Sequence, residues 1–136
     1  RDPFNADQSG SNGFESDNDA TGSTATPKTS GVFSNVTVLG PLFDSTKSIS
    51  GNYKHAMHLR RNTELSIFNS IISGYPIGLN LDGSATVANY TSGLGVLNNN
   101  ILVSIGSKGN PNPFISGSTA SVPVADYWKT TKSNLT

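Results

Sequence analysis

His55-Ala-Met-His-Leu-Arg-Arg61, continued by Leu65-Ser-Ile-Phe-Asn-Ser-Ile-Ile-Ser-Gly74, is followed by Ile77-Gly-Leu-Asn-Leu-Asp-Gly83 and Leu94-Gly-Val-Leu-Asn-Asn-Asn-Ile-Leu-Val103. Each half reads as a short apolar strand, a polar corner, and a second strand with Asn at its bend. Gly31-Val-Phe-Ser-Asn-Val-Thr-Val-Leu-Gly40 is an earlier partial copy. Self-similarity at a spacing of tens of residues is the mark of a solenoid. Setting Met57-His-Leu-Arg against Ile77-Gly-Leu-Asn, and Phe68-Asn-Ser against Leu97-Asn-Asn, leaves an insertion around residues 84–92. Stacked coils tolerate such an insertion at one corner. A β-sandwich would instead need a return strand directly after Asp82-Gly83, and a long polar stretch stands there. The fold expected is therefore all-β, a parallel β-helix.

Composition agrees with an extended, hydroxyl-rich surface. Charged residues make up 13% of the 136 residues and apolar residues 34%, against roughly 25% charge in an ordinary soluble domain. The formal net charge is zero, so no global field draws in nucleic acid. There is no cysteine, which removes disulfides and thiolate chemistry. No apolar run reaches the roughly 18 residues that span a bilayer, and the first residues lack the apolar core of a signal peptide. Both ends read as cuts within a longer polypeptide.

Three regions follow from the pattern. Residues 1–30 form an acidic Gly/Ser/Asn-rich loop segment, 31–106 the coils, and 107–136 a Pro/Gly/Ser-rich end with one short helix around Ala125 to Lys132. One coil buries too few aliphatic side chains to offset its own ordering entropy, so stability must come from stacking. Asn35, Asn69 or Ser70, and Asn98 to Asn100 recur at the bends. They read either as a polar binding ledge or as a stacked ladder with left-handed corners, and turn chemistry favours the second.

The run Gly13-Phe-Glu-Ser-Asp-Asn-Asp-Ala-Thr-Gly-Ser23, with Gly31 to Pro41, Met57-His-Leu-Arg-Arg-Asn62 and Ser66-Ile-Phe-Asn-Ser70, resembles large secreted proteins of Bacteroidetes-type bacteria. The resemblance implies a right-handed parallel β-helix body of the pectin-lyase type, exported by the type IX secretion system. Tyr127-Trp-Lys-Thr-Thr131 looks like that family's end-of-helix segment. Secretion or surface attachment is implied, and no particular activity is.

Asp17 and Asp19, with Glu15 and Asp7 nearby and Gly22 to let the backbone wrap, form the candidate calcium site. Hard cations take several closely spaced oxygen ligands, yet the bidentate Glu of an EF-hand loop is missing, and a solvated acidic loop is the alternative. His55 and His58 stand three apart in one strand and are expected to face opposite sides. His58, Arg60, Asn80 and Tyr90 would line a flank able to contact carbohydrate. Glycoside hydrolysis needs paired carboxylates. The coil faces offer Glu64 and Asp82 with uncharged partner rows, and Arg60 and Arg61 without acidic companions. Asn35, Asn89 and Asn134 begin N-glycosylation acceptor patterns, with Asn35 expected at a packed corner, and Asp44-Ser-Thr resembles an O-glycosylation acceptor. The function expected is a non-enzymatic structural or adhesive scaffold that associates with itself, with other domains of a parent chain, or with polysaccharide. A carbohydrate-binding module or the remnant of a polysaccharide lyase or hydrolase is the alternative.

Overall fold

The computed structural model describes residues 12–42, 48–103, 115–118, 127–128 and 133–135. Ten short strands and one helix follow in chain order: β1 (Phe14–Ser16), β2 (Val32–Ser34), β3 (Thr37–Leu39), β4 (His55–Arg60), β5 (Ser66–Phe68), β6 (Ile71–Ser73), β7 (Ile77–Asp82), α1 (Ser84–Ser92), β8 (Leu97–Asn98), β9 (Ile101–Val103) and β10 (Ile115–Ser118). Every pairing is parallel. The strands form three sheets ordered β1-β4-β7-β10, β2-β5-β8 and β3-β6-β9. Each successive strand of a coil joins a different sheet, which makes the chain a parallel β-helix.

Alternation along each strand sends one row inward. Met57 stands beside Leu79, and Leu59 beside Leu81; Ile67 beside Leu97; Ile72 beside Leu102. All eight are essentially inaccessible. This register corrects the expected alignment. Met57 pairs two residues beyond Ile77, and Leu97 pairs with Ile67 rather than with Phe68. Ile77, Leu79 and Leu81 are equivalent apolar positions in a period of two, so a slip of two keeps the inward face unchanged.

Two further corrections concern the ends. β1 lies inside the stretch expected to be an acidic loop, and β10 lies beyond residue 106, so the stack is longer than residues 31–106. Of the helix expected near the end, Tyr127 and Trp128 lie in a helical turn and are buried; its other residues are outside the described ones.

The corner between the second and third sheets carries the recurring Asn residues. Asn35, Asn69 and Asn99 have φ of 58°, 50° and 56°, the left-handed conformation that Asn tolerates better than most side chains. The next residue points inward. Ser70 Oγ accepts the Val36 N–H at 3.1 Å, Asn100 Oδ1 accepts the Ser70 N–H at 3.0 Å, and Asn134 Oδ1 accepts the Asn100 N–H at 2.8 Å. Asn100 Nδ2 donates to Ile67 O at 2.8 Å and Asn134 Nδ2 to Leu97 O at 2.9 Å. The result is a buried polar ladder with left-handed corners outside it. Ser133 (φ 52°) and Asn134 repeat the corner once more, and Leu135 then bridges to Ile101.

The insertion is α1, a helix that no apolar stripe announced. It has no side-chain N-cap and ends at Gly93 in the left-handed conformation. Thr, Val, Asn, Tyr and Ser are indifferent helix formers, so tertiary contacts hold it. Tyr90 is fully buried and donates to Leu65 O at 2.5 Å. Asn89 Nδ2 donates to Asn62 O, Asn62 Oδ1 and Thr63 O at 3.0–3.2 Å.

At the β1-β2-β3 end of the stack the inward row is Phe14, Phe33 and Val38. The two rings meet edge to face at 5.4 Å. Phe33 is nevertheless 43% exposed, whereas its in-register neighbour Ile67 is 0% exposed. Close approach between coils also limits side-chain size. A Cβ on Gly40 would meet the Gly74 carbonyl and sit 2.5 Å from the Tyr75 ring. Gly40→Ala is therefore expected to cost about 2–3 kcal/mol, read as a lowered midpoint in urea unfolding.

Candidate functional site

The outward face of the first sheet concentrates the charged side chains. Because Met57, Leu59, Leu79 and Leu81 point inward, His58, Arg60, Asn80 and Asp82 point outward. Register places Glu15 beside His58 and His58 beside Asn80. Arg60 stands beside Asp82. Asp17 follows β1 directly, on the other side of Arg60.

Arg60 is held on two sides. Its Nε donates to Asp17 Oδ1 at 2.6 Å, and its Nη2 donates to Glu15 Oε1 at 2.6 Å and to Asp17 Oδ2 at 3.2 Å. Arg61 Nη1 also reaches Asp17 Oδ2, at 2.9 Å. The hydrogen bonds Arg60 donates to Asp17 raise its pKa above the ordinary value, with the charges of Asp17, Glu15 and Asp82 adding to the shift. The expectation that Arg60 and Arg61 lack acidic companions is thus corrected. Those companions come from a segment some forty positions earlier, and only the coil brings them together.

The same geometry gives the three carboxylates of the calcium expectation other partners. Glu15 and Asp17 direct their carboxylates at guanidinium groups. Asp19 folds back on its own loop, accepting the N–H groups of Thr21, Gly22 and Ser23 at 2.6–3.1 Å and the Ser23 hydroxyl. The Ser23 hydroxyl and N–H, with the Thr21 N–H, hold its carboxyl well below the usual carboxylate range. Among the described residues no group of three or more His, Cys, Asp or Glu is arranged to hold a metal ion. Asp7 lies outside the described residues.

Of the four residues expected to form a ligand flank, His58, Arg60 and Asn80 share the outward face, half-buried. Tyr90 does not join them, since α1 carries it into the core. His55 also departs from expectation. Its ring lies 4.5 Å from that of His58, and Asn12 accepts from its backbone N–H and lies against its ring nitrogen.

Beside Arg60 opens a cleft of about 370 Å³. Thr21 and Gly22 form one wall, Arg60, Arg61 and Asn62 the floor, and Asp82 with the first residues of α1 the other wall. Sequence reading missed this cleft, because one wall is the unanticipated helix. Of the acceptor asparagines, Asn35 is exposed rather than packed, while Asn89 and Asn134 are buried. Asp44 lies outside the described residues.

The family whose model matches residues 3–134 is described as a pectate-lyase-like beta helix domain. The chain belongs to this family. No curated protein and no solved structure matches it. In this pectate-lyase-like β-helix domain the outward face of the first sheet carries an acid–arginine cluster, with the Arg60 side chain hydrogen-bonded to Glu15 and Asp17 of the neighbouring coil. No helix among the described residues is long and apolar enough to cross a membrane.

Proposed function

We propose that the domain is a non-catalytic adhesive scaffold of a secreted or cell-surface bacterial β-solenoid, holding polysaccharide against the outward face of its first sheet. The observation that carries this reading is the state of Arg60. A guanidinium engaged bidentately by one carboxylate and singly by a second is a poor proton acceptor and a fixed hydrogen-bonding platform. The adjoining cleft adds hydroxyls from Thr21 and Ser84 and the Asp82 carboxylate, groups suited to sugar hydroxyls. The resemblance of Gly13 to Ser23 and of Met57 to Asn62 supports a Bacteroidetes-type source and type IX export.

Titration calorimetry against a panel of neutral and acidic polysaccharides tests the reading. At least one is expected to bind, with Asp82→Ala weakening it tenfold or more and Glu64→Ala, outside the cleft, leaving it unchanged. Silence across the panel would sink it. A second reading, residual lyase activity, is favoured by the placement of Arg60 between Asp17 and Asp82. Release of unsaturated uronides from polygalacturonate with added calcium, lost in Arg60→Lys, would establish that one instead.

A further inference from the structure

Where β4 begins, two imidazoles lie against each other, their centroids 4.5 Å apart and their planes inclined by 35°. Both are enclosed: His55 is 9% exposed, and the side chain of His58 12%. Each is tied to a different coil. His55 Nδ1 lies 3.1 Å from Asn12 Oδ1, which also accepts the His55 backbone N–H at 3.0 Å. Asn12 Nδ2 in turn donates to Glu15 Oε2 at 2.6 Å, and the Gly13 N–H donates to His55 O at 3.0 Å. On the other side, His58 Nε2 lies 3.2 Å from Asp82 Oδ2 of β7. The pair is thus one side-chain junction between β1 and the sheet that continues through β7, beside the one Arg60 makes.

We propose that this imidazole couple is an acid-sensitive latch holding the first coil onto the solenoid. One proton on the couple is compatible with the stack, because Glu15 of β1 and Asp82 of β7 flank it. A second proton sets two like charges face to face in an enclosed site. Lys54 and Arg60, on the same segment as the couple, add positive charge, and β10 brings only Ile115, Ser116, Gly117 and Ser118. The Asn12 contact does not itself break, since an imidazolium still donates from Nδ1. The cost lies in the buried charge and the repulsion. His55 is accordingly lowered to about 4, by burial first and then by His58 and Lys54. The unfolded chain takes that proton near the ordinary imidazole value, so stability at this junction is intact above about pH 6.5 and falls as the pH drops toward 4.

Amide hydrogen exchange on the whole chain, corrected for intrinsic rates, tests the latch at pH 7 and pH 4.5. Protection of Phe14–Ser16 is expected to fall at least tenfold more than protection of Leu79 to Leu81. His55→Gln, which cannot take up the proton, is expected to abolish that difference. His58→Gln removes the like-charged neighbour while leaving the Asn12 contact, and must at least lessen it. β1 and β7 losing protection in step in the native protein would overturn the proposal. So would an undiminished difference in either variant, and His58→Gln decides the matter alone if His55→Gln does not fold.

Discussion

Asn100→Ala is expected to lower the free energy of unfolding by about 2–4 kcal/mol. Asn100 is fully buried at the inward corner between β8 and β9. Its side chain accepts from the Ser70 N–H and donates to Ile67 O. Truncation removes both contacts, leaving the buried Ser70 N–H without its acceptor and Ile67 O without its side-chain donor, the unpaired N–H alone costing about 1–3 kcal/mol. Neither can find a substitute within the ladder, because Asn134 is already engaged with the Asn100 N–H and Leu97 O. Urea unfolding followed by far-ultraviolet circular dichroism measures the change. Asn35→Gly, at the exposed left-handed corner of the first coil, is the control. Glycine accepts that conformation without strain, so a change within about 0.5 kcal/mol is expected there. A loss below about 1 kcal/mol for Asn100→Ala would show that the ladder accompanies the fold without stabilising it.

Tyr90→Ala is the other large effect, expected at about 3–5 kcal/mol. Tyr90 joins three pieces of structure. It belongs to α1, its hydroxyl donates to Leu65 O ahead of β5, and its ring packs edge-on to Tyr127 at 6.5 Å. Removing the ring opens a cavity between helix and coils and withdraws the main apolar reason for α1 to exist. Tyr90→Phe keeps the ring and deletes only the donor to Leu65 O, for about 1–2 kcal/mol. The gap between the two variants, measured by the same urea experiment, separates packing from hydrogen bonding. Burial also raises the phenol pKa well above its ordinary value, so Tyr90 ionises only once alkali has opened the core.

The fold was legible because solenoid strands announce themselves locally. Ile77, Leu79 and Leu81 alternate cleanly, and Asn at the bends marks left-handed corners. What the chain did not announce was register and anything set by contacts between distant segments. An apolar period of two cannot tell Ile77 from Leu79 as the neighbour of Met57. β1 was invisible for a similar reason: Phe14-Glu15-Ser16 looks like loop until His55 to Arg60 are placed beside it. The site followed the same division. His58, Arg60 and Asn80 fall on one face by alternation alone, whereas Asp17 reaches Arg60 only through coiling. Tyr90 was misplaced because the helix that buries it carries no clear amphipathic signal. Asn134 had a readable signal in retrospect, since Ser133-Asn134-Leu135 repeats Asn99-Asn100-Ile101 in character.

The corner between the second and third sheets occupies two residues in each of three coils: Asn35-Val36, Asn69-Ser70 and Asn99-Asn100. The connection leaving the first sheet varies in length, from residues 61–65 after β4 to residues 83–96, which enclose α1, after β7 and residues 17–31 after β1. The molecule therefore divides its perimeter into a corner of fixed length and a margin of variable length. Added length is accommodated in the connections, one of which borders the cleft, while the stack beneath keeps its pitch.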